Sequence, residues 1–115
     1  MRPAVGVVIA LGLLGPVVRA ADAPPSDLGE QVYTRICQGC HMANGEGATG
    51  AGTYPKLAGN PRLVVWQYAA ITVLQGRNGM PAFGGIADVD PSLLKMMGAL
   101  TDEQIAAVVN YVRTH

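Results

Sequence analysis

The run Cys37-Gln38-Gly39-Cys40-His41 constrains this chain more than any other stretch. Two cysteines two residues apart, followed directly by a histidine, read as a site for covalent attachment of a c-type haem. The spacing has a chemical reason. One short turn presents both thiols, Cys37 and Cys40, to the two vinyl groups of a haem edge, and the next residue lies under the iron. His41 then supplies the proximal nitrogen, neutral imidazole being a good iron ligand. Two other chemistries use the same residue types. A C-x-x-C pair alone also marks thiol–disulfide enzymes. It can equally be half of a zinc site, but the chain has no other cysteine and its only other histidine is His115.

The start of the chain points to export. Met1-Arg2 is a short basic end, Ala4 to Val18 is almost wholly apolar, and Val18-Arg19-Ala20 offers small residues for cleavage. Residues 1–20 therefore read as a secretory signal peptide, with Ala21-Asp22-Ala23 a second place to cut. The apolar run holds Gly12, Gly15 and Pro16 and is short for a membrane span, which needs about 20 residues. Cleavage removes Arg2 and Arg19 from the eight Lys and Arg, leaving the mature chain acidic against eight Asp and Glu. No basic stripe remains to hold nucleic acid. With one Trp and one Phe, a domain of this size buries a limited core. A haem would fill that deficit as a rigid apolar centre.

Residues 21–26 read as a linker, and the domain proper as 27–115. A first helix is expected from Asp27, with Glu30 three positions on as a capping box, leading straight into the haem motif. A last helix is expected after Thr101, with Gln104 completing a capping box and Ile105, Val108, Val109 and Val112 as its apolar stripe. Asn44 to Thr53 reads as a glycine-rich loop without the spacing or lysine of a P-loop. Asn60-Pro61 opens a third helix that runs to Leu74 and ends at Gly76. Its apolar residues go nearly all round, and Trp66 and Tyr68 on it carry donors for a haem propionate as well as surface for a core or an interface. Asp90-Pro91 to Gly98 reads as an extra short helix, with Met96 and Met97 as core residues.

The haem motif, the terminal helices and the later run Arg77-Asn78-Gly79-Met80-Pro81 together resemble the class I c-type cytochromes, of the monohaem periplasmic kind associated with dehydrogenases. The resemblance covers essentially the whole mature chain. It implies a small all-α fold of three to five helices around one covalent haem c, with the terminal helices crossing and Gly29 and Tyr33 set against Val108 and Tyr111. It implies that Tyr54-Pro55-Lys56-Leu57 is the family's proline–leucine segment, in which the Pro55 carbonyl accepts from the ring of His41 and Leu57 packs on the haem. Trp66 joins them as a pocket residue. It implies Met80 as the sixth iron ligand, with the insertion between Phe83 and Thr101 leaving Met96 and Met97 as competitors for that place.

The function implied is one-electron transfer, from a periplasmic dehydrogenase to a downstream oxidase or cytochrome, by an exported protein that is not itself an enzyme. The partners implied are redox proteins, without nucleic acid and without a membrane span after cleavage. An alternative is a haem ligand-binding or peroxidase-like protein with an open sixth site. A third is a thiol–disulfide enzyme, which needs a βαβ context that the sequence does not suggest.

Overall fold

The computed structural model describes residues 27–85 and 90–115. The expected signal peptide over 1–20 and linker over 21–26 lie outside the described residues. The first helix begins as α1 (Leu28–Val32), passes through a π turn (Tyr33–Cys37) and continues as α2 (Gln38–His41) without a break. Its start differs from the expected capping box. Asp27 has helical dihedrals, φ −97° and ψ −5°, and its side chain makes no bond to the first amides. An N-cap carboxylate reaches those amides from an extended backbone. Here it accepts instead from Gln31 Nε2 at 2.6 Å.

The last helix, α5 (Asp102–Thr114), opens on a complete capping box. Thr101 Oγ1 accepts from the Gln104 amide at 3.2 Å, and Gln104 Oε1 accepts from the Thr101 amide at 2.9 Å. Helix α5 crosses α1 where Gly29 removes a side chain. A Cβ on Gly29 would run into the Ala107 carbonyl oxygen and lie 2.8 Å from Tyr111 Cβ. Beside this contact the rings of Tyr33 and Tyr111 meet at 5.4 Å, tilted by 43°. The core is small: Val32, Tyr33, Leu63, Ala69, Leu100, Ile105, Val108 and Val109.

The expected third helix is broken in two. Pro61–Val64 forms a 3₁₀ turn, Val65 is extended at φ −86° and ψ 96°, and α3 runs Trp66–Gln75. Asn60 caps the first piece by accepting from the Arg62 amide at 3.0 Å. The break has a distant cause. Arg113 Nε donates to the Leu63 carbonyl at 3.0 Å and Nη2 to that of Val64 at 3.4 Å. These carbonyls are satisfied from α5 rather than along their own helix. The break also explains the apolar residues all round, since Leu63 is buried while Val64 is 75% exposed.

The glycine-rich loop carries a two-stranded antiparallel sheet, β1 (Ala48–Thr49) and β2 (Thr53–Tyr54), with Ala48 opposite Tyr54. Strands of two residues leave no alternation to read. The extra short helix is α4 (Pro91–Met96), with Asp90 Oδ1 accepting from the Ser92 amide at 2.8 Å. That bond holds the Asp90 carboxyl below its usual range. Met96 and Met97, expected in the core, are 84% and 61% exposed. A six-residue helix has too few turns to bury them. Leu100 enters the core instead, its amide bonded to the Phe83 carbonyl at 2.8 Å. Among the described residues no helix is long and apolar enough to cross a membrane. The fold is mostly helical, in agreement with the all-α expectation.

Candidate haem site

The first helix ends on the motif. Cys37 is half-buried, Cys40 exposed and both are free, while His41 is 8% exposed. His41 Nδ1–H donates to the Pro55 carbonyl at 2.9 Å. A carbonyl oxygen only accepts, so the proton sits on Nδ1 and the lone pair is left on Nε2. Burial pushes the Cys37 thiol up to about 11. Nucleophilic thiols of disulfide enzymes need the opposite shift. Burial thus works against Cys37 as the attacking thiol of a disulfide enzyme.

The loop after His41 is folded so that Pro55 comes back to it. Met42 leaves the helix at φ 67°, and its carbonyl accepts from Tyr33 Oη at 2.7 Å. The Gly47 amide donates to the His41 carbonyl at 3.1 Å, and the Gly45 carbonyl accepts from the amides of Leu57 and Ala58 at 2.8 and 3.0 Å. Gly47, at φ +70°, lies directly against the Pro55 segment. A Cβ there would meet the Tyr54 carbonyl oxygen and stand 2.8 Å from the Lys56 nitrogen.

A second glycine does the same for the Met80 segment. Gly76 ends α3 at φ +71°, and a Cβ on it would lie 2.5 Å from the Met80 carbonyl oxygen. Arg77 and Met80 close a turn by exchanging backbone bonds, Met80 amide to Arg77 carbonyl at 2.9 Å and the reverse at 3.0 Å. The chain then runs back along α3, with the Phe83 amide on the Val73 carbonyl at 2.9 Å and the Gly84 amide on Leu74 at 3.0 Å. Met80 is half-buried.

The structure joins His41 to Pro55 directly and packs Leu57, two residues further on, half-buried against the core. Trp66 is 53% exposed and lines a groove of about 490 Å³ between α3 and α5, with Ala70, Leu74, Ala106 and Val109. The sequence signals Gly76 as a helix end but not as a neighbour of Met80, and nothing in it signals the close approach of Gly47 to the Pro55 segment.

The residues present fit a covalently held haem. Two free thiols flank one helical turn, an oriented imidazole keeps Nε2 for a metal, and a thioether stands on a separate loop. Apolar Ile36, Leu57, Val73 and Phe83 pack against the core and are partly exposed, apolar surface that a haem could cover.

Comparison with known proteins gives the same answer. Residues 26–115 match the cytochrome c family. The chain is 32% identical to cytochrome c-552 of Thermus thermophilus over 91 residues, which cover 75% of this chain and 66% of that protein. It is 33% identical to cytochrome c4 of Azotobacter vinelandii over 85% of this chain and 47% of the relative. It is also 33% identical to the fructose dehydrogenase cytochrome subunit of Gluconobacter japonicus, over 76% of this chain and 18% of the relative. The chain thus spans less than two thirds of the length of each. The thiol pair, the tethered imidazole and the match over nearly the whole described domain place this chain in the cytochrome c family, whose haem c is bound covalently.

Proposed function

We propose that this chain is a one-electron carrier in which His41 and Met80 are the axial ligands of a haem held by Cys37 and Cys40. It is an electron-transfer protein rather than an enzyme. The observation that carries the reading is the hydrogen bond from His41 to Pro55, because a ligating histidine needs its other ring nitrogen tied to fix tautomer and orientation. When bound, the haem supplies a ferrous–ferric couple whose potential a His/Met ligand pair raises.

The chain's own residues do the rest. The Pro55 carbonyl makes the imidazole more basic, Leu57 anchors the segment on the core, and Gly47 keeps that segment close. Met80 is favoured over its competitors because it is half-buried in a closed turn, whereas Met96 and Met97 face solvent. Trp66, the remaining pocket candidate, stands on α3 where it also lines the α3–α5 groove. The likeness to a fructose dehydrogenase cytochrome subunit supports a dehydrogenase as donor and an oxidase or cytochrome as acceptor. The apolar leader supports export to the periplasm, where the protein would serve a respiratory chain.

The test is the visible spectrum of the exported protein, oxidised and reduced, with and without carbon monoxide. A low-spin spectrum with the red-edge methionine–ferric iron band, unmoved by carbon monoxide, is expected. Met80→Ala should remove the band, and Met96→Ala and Met97→Ala should leave it. A high-spin spectrum that shifts with carbon monoxide would instead establish an open sixth site.

A further inference from the structure

We infer that Arg77 is a positioning residue for Met80: its guanidinium, laid on Tyr68 of α3, straps the Arg77–Met80 turn to that helix. The inference rests on Met80 being the sixth ligand.

The turn is closed by its own backbone, so what needs holding is its place against α3. Asn78 sits at φ 53°, a conformation that side-chain-bearing residues rarely adopt, and Gly76 before it is at φ +71°. A Cβ added at Gly79 would meet nothing within 4 Å, so that side of the turn stands clear of the rest of the fold. Downstream of Met80 the chain is anchored by the Phe83 and Gly84 amides on α3. Upstream, Arg77 does two things at once. Its backbone makes both bonds that close the turn on Met80, at 2.9 and 3.0 Å. Its side chain reaches back nine residues, with the guanidinium carbon 5.6 Å from the centroid of the Tyr68 ring and Nη1 3.4 Å from Tyr68 Oη.

Tyr68 is a fixed platform. It lies in the first turn of α3, where its amide donates to the Val65 carbonyl at 3.0 Å and its own carbonyl accepts from Thr72 Oγ1 at 2.7 Å. A guanidinium over a tyrosine face is attracted by the ring's negative π cloud, and its forked N–H groups can reach the hydroxyl at the same time. The downstream end of the turn is joined to α3 by backbone amides, and the upstream end, already continuous with α3 through Gly76, gains the Arg77 side chain as a second tie. Without the side-chain tie the closed turn is freer to swing about Gly76, and an outside ligand then meets the iron without its thioether more often. Apparent affinity for such a ligand rises in proportion to that open fraction.

The test is imidazole titration of the oxidised holoprotein, read as loss of the red-edge methionine–iron band. Arg77→Ala should bind imidazole about two- to fivefold more tightly than the parent, the factor an exposed cation–π contact can supply. Arg77→Lys should fall between them. Tyr68→Leu removes the same strap from the other side and should match Arg77→Ala, which keeps the test available if either variant folds poorly. The double variant should be no looser than either single one, since both remove one interaction. Unchanged imidazole affinity in Arg77→Ala and Tyr68→Leu, or additive effects in the double variant, would overturn the strap while Met80→Ala still abolished the band. Survival of the band in Met80→Ala would show that Met80 is not the ligand, and the strap would fall with it.

Discussion

His41 and Pro55 are fourteen residues apart in the chain and joined by one hydrogen bond of 2.9 Å, ring Nδ1–H to carbonyl. A helix end and a loop are thereby locked to each other through the group that would hold the iron. Proline suits the loop side of this contact, because its φ is fixed and it has no amide of its own to satisfy.

Substituting Gly47→Ala should loosen that contact. The backbone there is left-handed at φ +70°, and the new methyl would stand 2.8 Å from the Lys56 nitrogen. The left-handed conformation alone costs about 1–2 kcal/mol for a residue with a Cβ. Denaturant unfolding should show at least that loss. The reduction potential should rise, since a weaker bond to Pro55 leaves the imidazole less basic and ferric iron less stabilised. Lost stability with an unmoved potential would separate the loop from the ligand.

Gly76 and Gly39 make a contrasting pair. A Cβ on Gly76 is blocked by the Met80 carbonyl, while one on Gly39 would meet nothing within 4 Å. Gly76→Ala should weaken the methionine–iron band and cost about 1–2 kcal/mol. Gly39→Ala, within α2 between the two cysteines, should leave the spectrum alone and raise stability by up to about 1 kcal/mol, alanine being the better helix former. Equal behaviour of the two variants would count against the close packing of the Met80 segment on Gly76.

At Gly29 two effects oppose each other. Alanine is the better helix former by about 1 kcal/mol. Against it stand the Ala107 carbonyl and Tyr111 Cβ, the latter 2.8 Å from the added methyl. Overpacking of this kind costs about 1–3 kcal/mol, so Gly29→Ala should be net destabilising by about 1 kcal/mol. A raised melting temperature would mean that α1 and α5 can move apart freely.

Tyr33 gives a pH signature. Burial raises its phenol above the usual 10.0. The folded chain therefore keeps the proton to higher pH than the unfolded chain does. Its contribution to stability is complete below the unfolded value and declines as pH rises through the folded one. Tyr33→Phe removes the donor to the Met42 carbonyl and should cost about 1 kcal/mol near neutral pH. That gap should narrow above about pH 10. A gap that stays constant into alkali would show that the phenol does not titrate differently on folding.

Local patterns were legible and distant ones were not. The Thr101–Gln104 capping box and the short helix after Asp90 are each written within a few residues, and both form. The break at Val65 could not be read, because it depends on Arg113, fifty residues away from the carbonyl it binds. The exposure of Met96 and Met97 depends on Leu100, not α4, filling the core. At the site, the cysteine and histidine positions are a motif. The structural work of Gly47 and Gly76 is invisible among 15 glycines until the backbone shows which of them something must touch.

The π turn over Tyr33–Cys37 changes what the first helix can present. In an unbroken α-helix each residue advances about 100°, so Cys40 would point nearly the same way as Gly29 and His41 well aside. One extra residue in a turn sets everything after it back by that angle. Gly29, Tyr33 and His41, spaced by four and eight, then share the inward side, and all three are buried while Cys40 is exposed. A single helix can thus dock on α5 with its first half and turn an imidazole inward with its last, keeping one thiol at the rim. The phase shift does what a second helix would otherwise be needed to do.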